Sequence, residues 1–139
     1  MEIAKQDATS VWKYIWLTIA ITVGMGVAAS IAEQILKTSL SGLSVVGVFI
    51  AVRHCAQMFG RDHGRQPTPS EATRYAAWTT LLQAVFSVIA IGIMALADPK
   101  LRKPDFFVIV GGVGLVVLGG CYAYARYAFV SAAKVAAKA

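Results

Sequence analysis

The 139-residue sequence predicts an all-α membrane protein: one domain, a bundle of four transmembrane helices, with both termini in the cytoplasm. Three observations carry that expectation. The first is composition. The chain is 58% hydrophobic and 14% charged, where a soluble domain is about 45–50% apolar and about 25% charged. So small a globule in water must cover most of its surface with polar groups, and this chain lacks them. Disorder is excluded too, because so apolar a chain collapses. The second is length: apolar residues gather at about 14–35, 40–59, 75–97 and 106–129. Each stretch is near the ~20 residues that cross ~30 Å of hydrocarbon. The third is the placing of aromatic residues. Trp12, Tyr14 and Trp16 open the first stretch, Tyr75 and Trp78 the third, and Tyr122, Tyr124, Tyr127 and Phe129 close the fourth. Alternating helices put all three clusters on one side, as an interfacial belt requires.

The stretches are continuous rather than strictly alternating, so they read as helices and not barrel strands. In the first, Ala28-Ala29-Ser30 resembles a signal cleavage site, but the apolar run continues to Ile35, which makes it a membrane helix. The second ends at Phe59, and residues 60–68 form a glycine-rich, charged cytoplasmic loop. The loop closes in Thr68-Pro69-Ser70-Glu71: an N-cap, a proline at the first helical position and a carboxylate three residues after the cap. The third helix therefore spans 69–97, with Glu71 and Arg74 in the headgroup layer. Pro99 and Pro104 break both ends of the turn before the fourth helix.

The net charge of +6 suggests nucleic-acid binding in a soluble protein. Here the basic residues lie beside apolar runs, so they read as orientation signals, with the bilayer as partner and no nucleic acid. Lys5, Lys13, Arg53, Arg61, Arg65, Arg74, Arg126, Lys134 and Lys138 fall on one side; Lys37, Lys100, Arg102 and Lys103 fall on the other. The richer side is cytoplasmic by the positive-inside rule.

Close backbone approach, not apolar attraction, joins helices in lipid. Ala20, Gly24, Ala28 and Ala32 recur at spacing four on the first helix, and Gly47, Ala51 and Cys55 on the second. The fourth has Gly111, Gly112, Gly114, Gly119, Gly120 and Ala123. These small surfaces predict tight helix pairs. Cys55 and Cys121 show neither a CxxC nor a zinc spacing and read as small apolar packing residues.

Polar residues inside spans are functional candidates. Arg53 either snorkels to the cytoplasmic face or turns inward to bond Gln83, with Thr18, Thr22, Thr79 and Thr80 completing a polar layer. His54 has only His63 as a possible haem co-ligand, and His63 lies in the loop, so no cofactor is expected. Glu33 ends the first helix too near the interface for a buried proton-exchanging carboxylate. No nucleophile–base pair, phosphate loop or metal-ligand spacing is present, so neither an enzyme nor a metal site is expected.

The segment Ala56-Gln57-Met58-Phe59-Gly60-Arg61-Asp62-His63-Gly64-Arg65-Gln66-Pro67-Thr68-Pro69-Ser70-Glu71 resembles the cytoplasmic signature of the ABZJ-type proteins. These are small four-helix bacterial inner-membrane proteins, and the resemblance implies that membrane but supplies no activity. Arg61, Arg65 and Glu71 belong to this segment, and Arg65 can pair with Glu71 across the capped turn. Two function classes follow. One is a non-catalytic accessory or structural subunit, packed against partner subunits of a larger membrane complex. The other is a small oligomeric transporter or channel with Arg53 and Gln83 lining its path.

Overall fold

The computed structural model describes the backbone of residues 2–39 and 41–138 and the side chains of residues 11–39, 42 and 46–138. Leu40 and the Lys5 side chain, both used above, lie outside these. Four helices follow one another: α1 Glu2–Leu36, α2 Ser41–His63, α3 Pro69–Ala97 and α4 Pro104–Ala136, with a 3-10 turn at Pro99–Arg102. There is no strand among the described residues. Among the described residues, three helical segments are long and apolar enough to cross a membrane: Val11–Leu36, Pro69–Ala97 and Pro104–Ala136. The chain is therefore a multi-pass helical membrane protein by length and composition. The fourth helix, α2, carries Arg53, His54, Arg61, Asp62 and His63 within its 23 residues.

The helices outrun their apolar stretches. α1 starts well before Tyr14 and α4 continues past Phe129 to Ala136, because backbone hydrogen bonding does not stop where apolar side chains do. The loop expected over 60–68 contracts to residues 64–68. α2 continues to His63 because Gly60 is pressed against α4 and Asp62 is held by α1, as described below. It ends at Gly64, whose φ of +58° favours a residue without a Cβ. The Gly64 N–H donates to the Gly60 carbonyl at 2.9 Å. At the far end of α3, Arg102 donates Nε–H to the Ala95 carbonyl at 2.9 Å and Nη2–H to Leu96 at 3.1 Å. A cation is well placed on those last carbonyls.

α1 packs on α2 and α3, and α4 packs on the same two, so α1 faces α4 and α2 faces α3 across the diagonals. α2 and α4 run in the same direction: Phe49 meets Tyr124 at 4.4 Å between ring centroids, and further along Gly60 meets Ala133.

Burial is concentrated at one end. Val11, Tyr14, Ile15, Val52, Cys55, Ala56, Phe59, Tyr75, Phe129 and Ala133 are almost wholly enclosed. Each helix gives one ring to an aromatic column. Tyr75 stacks on Phe129 at 4.1 Å, Phe129 meets Phe59 at 5.2 Å, and Phe59 meets Tyr14 edge-on at 5.4 Å. Three of these rings had been expected in the interfacial belt. The rings left on the outside of this end are Trp12 and Trp78, paired at 5.0 Å, with exposed Trp16 and Tyr127. Toward the other end Val23, Val27, Ile31, Ile93, Val108 and Val116 stand open. The packed end carries the charges of Lys13, Arg61, Asp62, Arg65 and Lys134. Water there drives apolar side chains together. Lipid tails solvate Val and Ile as well as a neighbouring helix does, so the open end lacks that drive.

The small residues divide accordingly. Gly47 is buried with its missing Cβ 3.2 Å from Met25 of α1, and Ala51 is fully enclosed. The stripe of Ala20, Gly24 and Ala28 does not join helices within this chain. All three are exposed, and a Cβ on Gly24 would meet nothing within 4 Å. The same open space surrounds Gly112, Gly119 and Gly120. The reason is rotation: α1 turns the face of Val11, Tyr14, Ile15, Thr18 and Ile19 inward to complete the aromatic core, and the stripe lies off that face.

Candidate functional site

The polar chemistry falls into two clusters at the packed end and two grooves beside it. Within the core, Thr18 donates to the Tyr14 carbonyl at 2.8 Å and its oxygen can at the same time accept from the Tyr75 hydroxyl at 2.6 Å. Thr79, one turn on from Tyr75, places a buried hydroxyl there with no hydrogen-bond partner among the described residues. Of the four threonines of the alternative polar layer, Thr18 and Thr79 thus gather near Tyr75, whereas Thr22 lines the groove of Gln83.

The cluster on the charged rim begins with Asp62. The Tyr14 hydroxyl donates to its Oδ2 at 2.6 Å, and Lys13 Nζ lies 3.5 Å from the same oxygen. These bonds clamp the start of α1's packed segment to the last turn of α2. The Tyr14 hydrogen bond holds the Asp62 carboxyl below the usual carboxylate range, outweighing the opposing effect of burial, and the charge of Lys13 adds to it. A depressed folded value means the stabilisation is present above the unfolded carboxylate value and is lost as pH falls through the folded one. Melting temperature should therefore decline modestly on acidification below about pH 4. Melting curves of Asp62→Asn should lose that component, and an unchanged acid slope would refute the clamp.

The second part of the rim is the capped turn. Arg65 grips Glu71 with two bonds, Nη1 to Oε2 at 3.0 Å and Nη2 to Oε1 at 2.9 Å. The Thr68 N–H donates to Glu71 Oε2 at 2.7 Å, and the Glu71 N–H donates to Thr68 Oγ1 at 3.3 Å, a reciprocal cap. Glu71 is buried, so the fork of a guanidinium is needed to satisfy it. The Arg65 guanidinium also stands 5.6 Å over the Phe59 ring, and the His63 ring stacks on Phe59 at 4.4 Å. Arg61 is exposed on the rim. These groups hold the short 64–68 connection against the end of the aromatic column.

The intramembrane candidates do not converge. Arg53 lines a groove of about 310 Å³ between α2 and α4, with Gln57, Tyr124, Tyr127 and Ser131. Gln83 lines a different groove, of about 240 Å³, with Thr22, Val48 and Ser87 among α1, α2 and α3. The alternative in which Arg53 turns inward to bond Gln83 is therefore not formed, because α2 and α3 stand on a diagonal, and Arg53 is exposed. His54 is exposed beside Arg53. Sequence reasoning missed Gly60 as a packing residue and Arg126 as a groove residue. Gly60 had been assigned to the loop, and Arg126 had been counted only for orientation. No family model, curated protein or solved structure matches the chain.

Proposed function

We propose that the protein is a four-span subunit of a bacterial inner membrane, with both termini cytoplasmic, that docks against a larger membrane complex without catalysing a reaction. The resemblance of residues 56–71 to the ABZJ-type signature supports the membrane assignment. The basic bias of the packed end supports the orientation, and Arg102 weakens the opposing count because its charge caps α3. The observation that carries the docking role is the outward aim of two small-residue faces, Ala20, Gly24 and Ala28 on α1 and Gly112, Gly119 and Gly120 on α4. Close approach of a further helix is what such faces permit. The transporter reading required Arg53 and Gln83 on one path, and their separate grooves do not favour it.

Affinity purification in mild detergent, from cells expressing the native complement of membrane proteins, tests the reading. The expected result is a foreign membrane subunit in stoichiometric yield. Gly24→Leu should remove it while leaving helicity and melting of the chain unchanged, since residue 24 is exposed and a Cβ there meets nothing within 4 Å. A clean single-chain preparation, or undiminished co-purification with Gly24→Leu, would count against it.

A further inference from the structure

Arg53 has a neighbour at its own depth. Gly60 on α2 lies against Ala133 on α4, and the two helices are parallel. Arg53 and Arg126 each precede that contact by seven residues, or ~10 Å along the axis. Arg53 lines the α2–α4 groove. Arg126 lines the adjoining one, a surface of about 620 Å³ along α4 that also takes in Lys134. Tyr127 and Ser131 line both grooves. Two exposed guanidiniums thus flank one exposed tyrosine, with Gln57 and Ser131 within the same surface.

Neither guanidinium has an ion-pair or hydrogen-bond partner among the described residues. Of the described acidic side chains, Asp62 and Glu71 are engaged on the rim. Glu33, Asp98 and Asp105 lie at the opposite end of the bundle. Arg61 and Lys134, farther along the same helices, mark the charged rim, so Arg53 and Arg126 lie on its apolar side. A cation at such depth is costly without a counter-charge. A guanidinium beside tyrosine hydroxyls is suited to a phosphate. About one turn from Arg53 toward the apolar end, the Phe49 ring meets Tyr124 of the groove and Ile50 is exposed, an apolar surface for an acyl chain.

The geometry points to a binding site for an anionic phospholipid on the α2–α4 face, with its phosphodiester held between Arg53 and Arg126 and its tail along Phe49 and Ile50. The inference rests on the chain being a membrane protein and not on the docking role, so either can fail alone.

Native mass spectrometry of the purified full chain, titrated with phosphatidylglycerol or with phosphatidylcholine, tests it. The expected result is preferential retention of phosphatidylglycerol by the native chain. The double variant Arg53→Gln with Arg126→Gln should weaken that retention by about tenfold or more, the scale of losing charged hydrogen bonds. Both side chains are exposed, so the fold should persist, as helicity will show. Should the double variant fail to fold, Tyr127→Phe, at a side chain 73% exposed, should weaken retention a few-fold. Equal retention of the two lipids by the native chain overturns the proposal, as does an unchanged preference in the folded variants. Displacement by excess inorganic phosphate also overturns it, since that would mark a free-anion site.

Discussion

Gly60→Ala should destabilise the packed end more than any other single-methyl addition in the chain. A Cβ built at Gly60 falls 2.5 Å from the Ala133 carbonyl oxygen and 3.0 Å from its Cα. Those are backbone atoms, so no rotamer change relieves the overlap and α2 must move away from α4. Overpacking costs about 1–3 kcal/mol in well-packed cores, occasionally more. The upper part of that range applies here because the obstructing atom belongs to a helix backbone. Separation would also loosen the Phe59–Phe129 contact. Chemical or thermal unfolding in detergent, followed by circular dichroism, measures the loss. Gly120→Ala is the control: its Cβ meets nothing within 4 Å, so its stability should be unchanged or slightly raised by better helix propensity. Ala133→Gly should not rescue Gly60→Ala, because the carbonyl oxygen remains. Equal melting of Gly60→Ala and the native chain would remove the close approach from the account of this fold.

Tyr75→Ala should be the more damaging substitution overall. Tyr75 is 0% exposed, stacked on Phe129, and bonded through its hydroxyl to Thr18. Removing a buried aromatic side chain costs about 3–5 kcal/mol through lost transfer energy and the cavity left behind. Tyr75→Phe separates the two contributions. It keeps the ring stack and deletes the hydroxyl, leaving Thr18 its bond to the Tyr14 carbonyl. The loss should then be near the net value of one hydrogen bond, about 0.5–1.5 kcal/mol. Unfolding by denaturant at fixed detergent concentration distinguishes them. A Tyr75→Phe variant as unstable as Tyr75→Ala would place the energy in the hydroxyl and not in the stack.

What could be read in the sequence was set by local chemistry. Helix content followed from continuous apolar stretches, and the start of α3 followed from Thr68, Pro69 and Glu71, whose bonds close within four residues. The Arg65–Glu71 pair is similarly near in sequence. Rotation of a helix about its axis is not local. Tyr14 could face lipid headgroups or the core, and only Asp62, Phe59 and His63, nearly fifty residues away, decide between them. The small-residue stripe of α1 pointed to the wrong intramolecular face for the same reason: spacing four defines a face but not its direction. Gly60 was hidden because its charged neighbours read as loop. Arg53 and Gln83 were paired on depth alone, and depth says nothing about which helices share an edge.

The edge between α2 and α4 has a bearing on how the chain is made. Ribosomes add roughly 5–20 residues per second. Ala133 follows Gly60 by 73 residues, so the mating surface is completed only about 4–15 s after Gly60 is synthesised. Through that interval α1, α2 and the capped start of α3 are available to one another, while Phe59 and Gly60 have no Phe129 or Ala133 to meet. The aromatic column closes last, from the C-terminal side. A chain released before residue 129 therefore lacks the one ring that joins Phe59 to Tyr75 and leaves uncovered the faces of both that Phe129 meets.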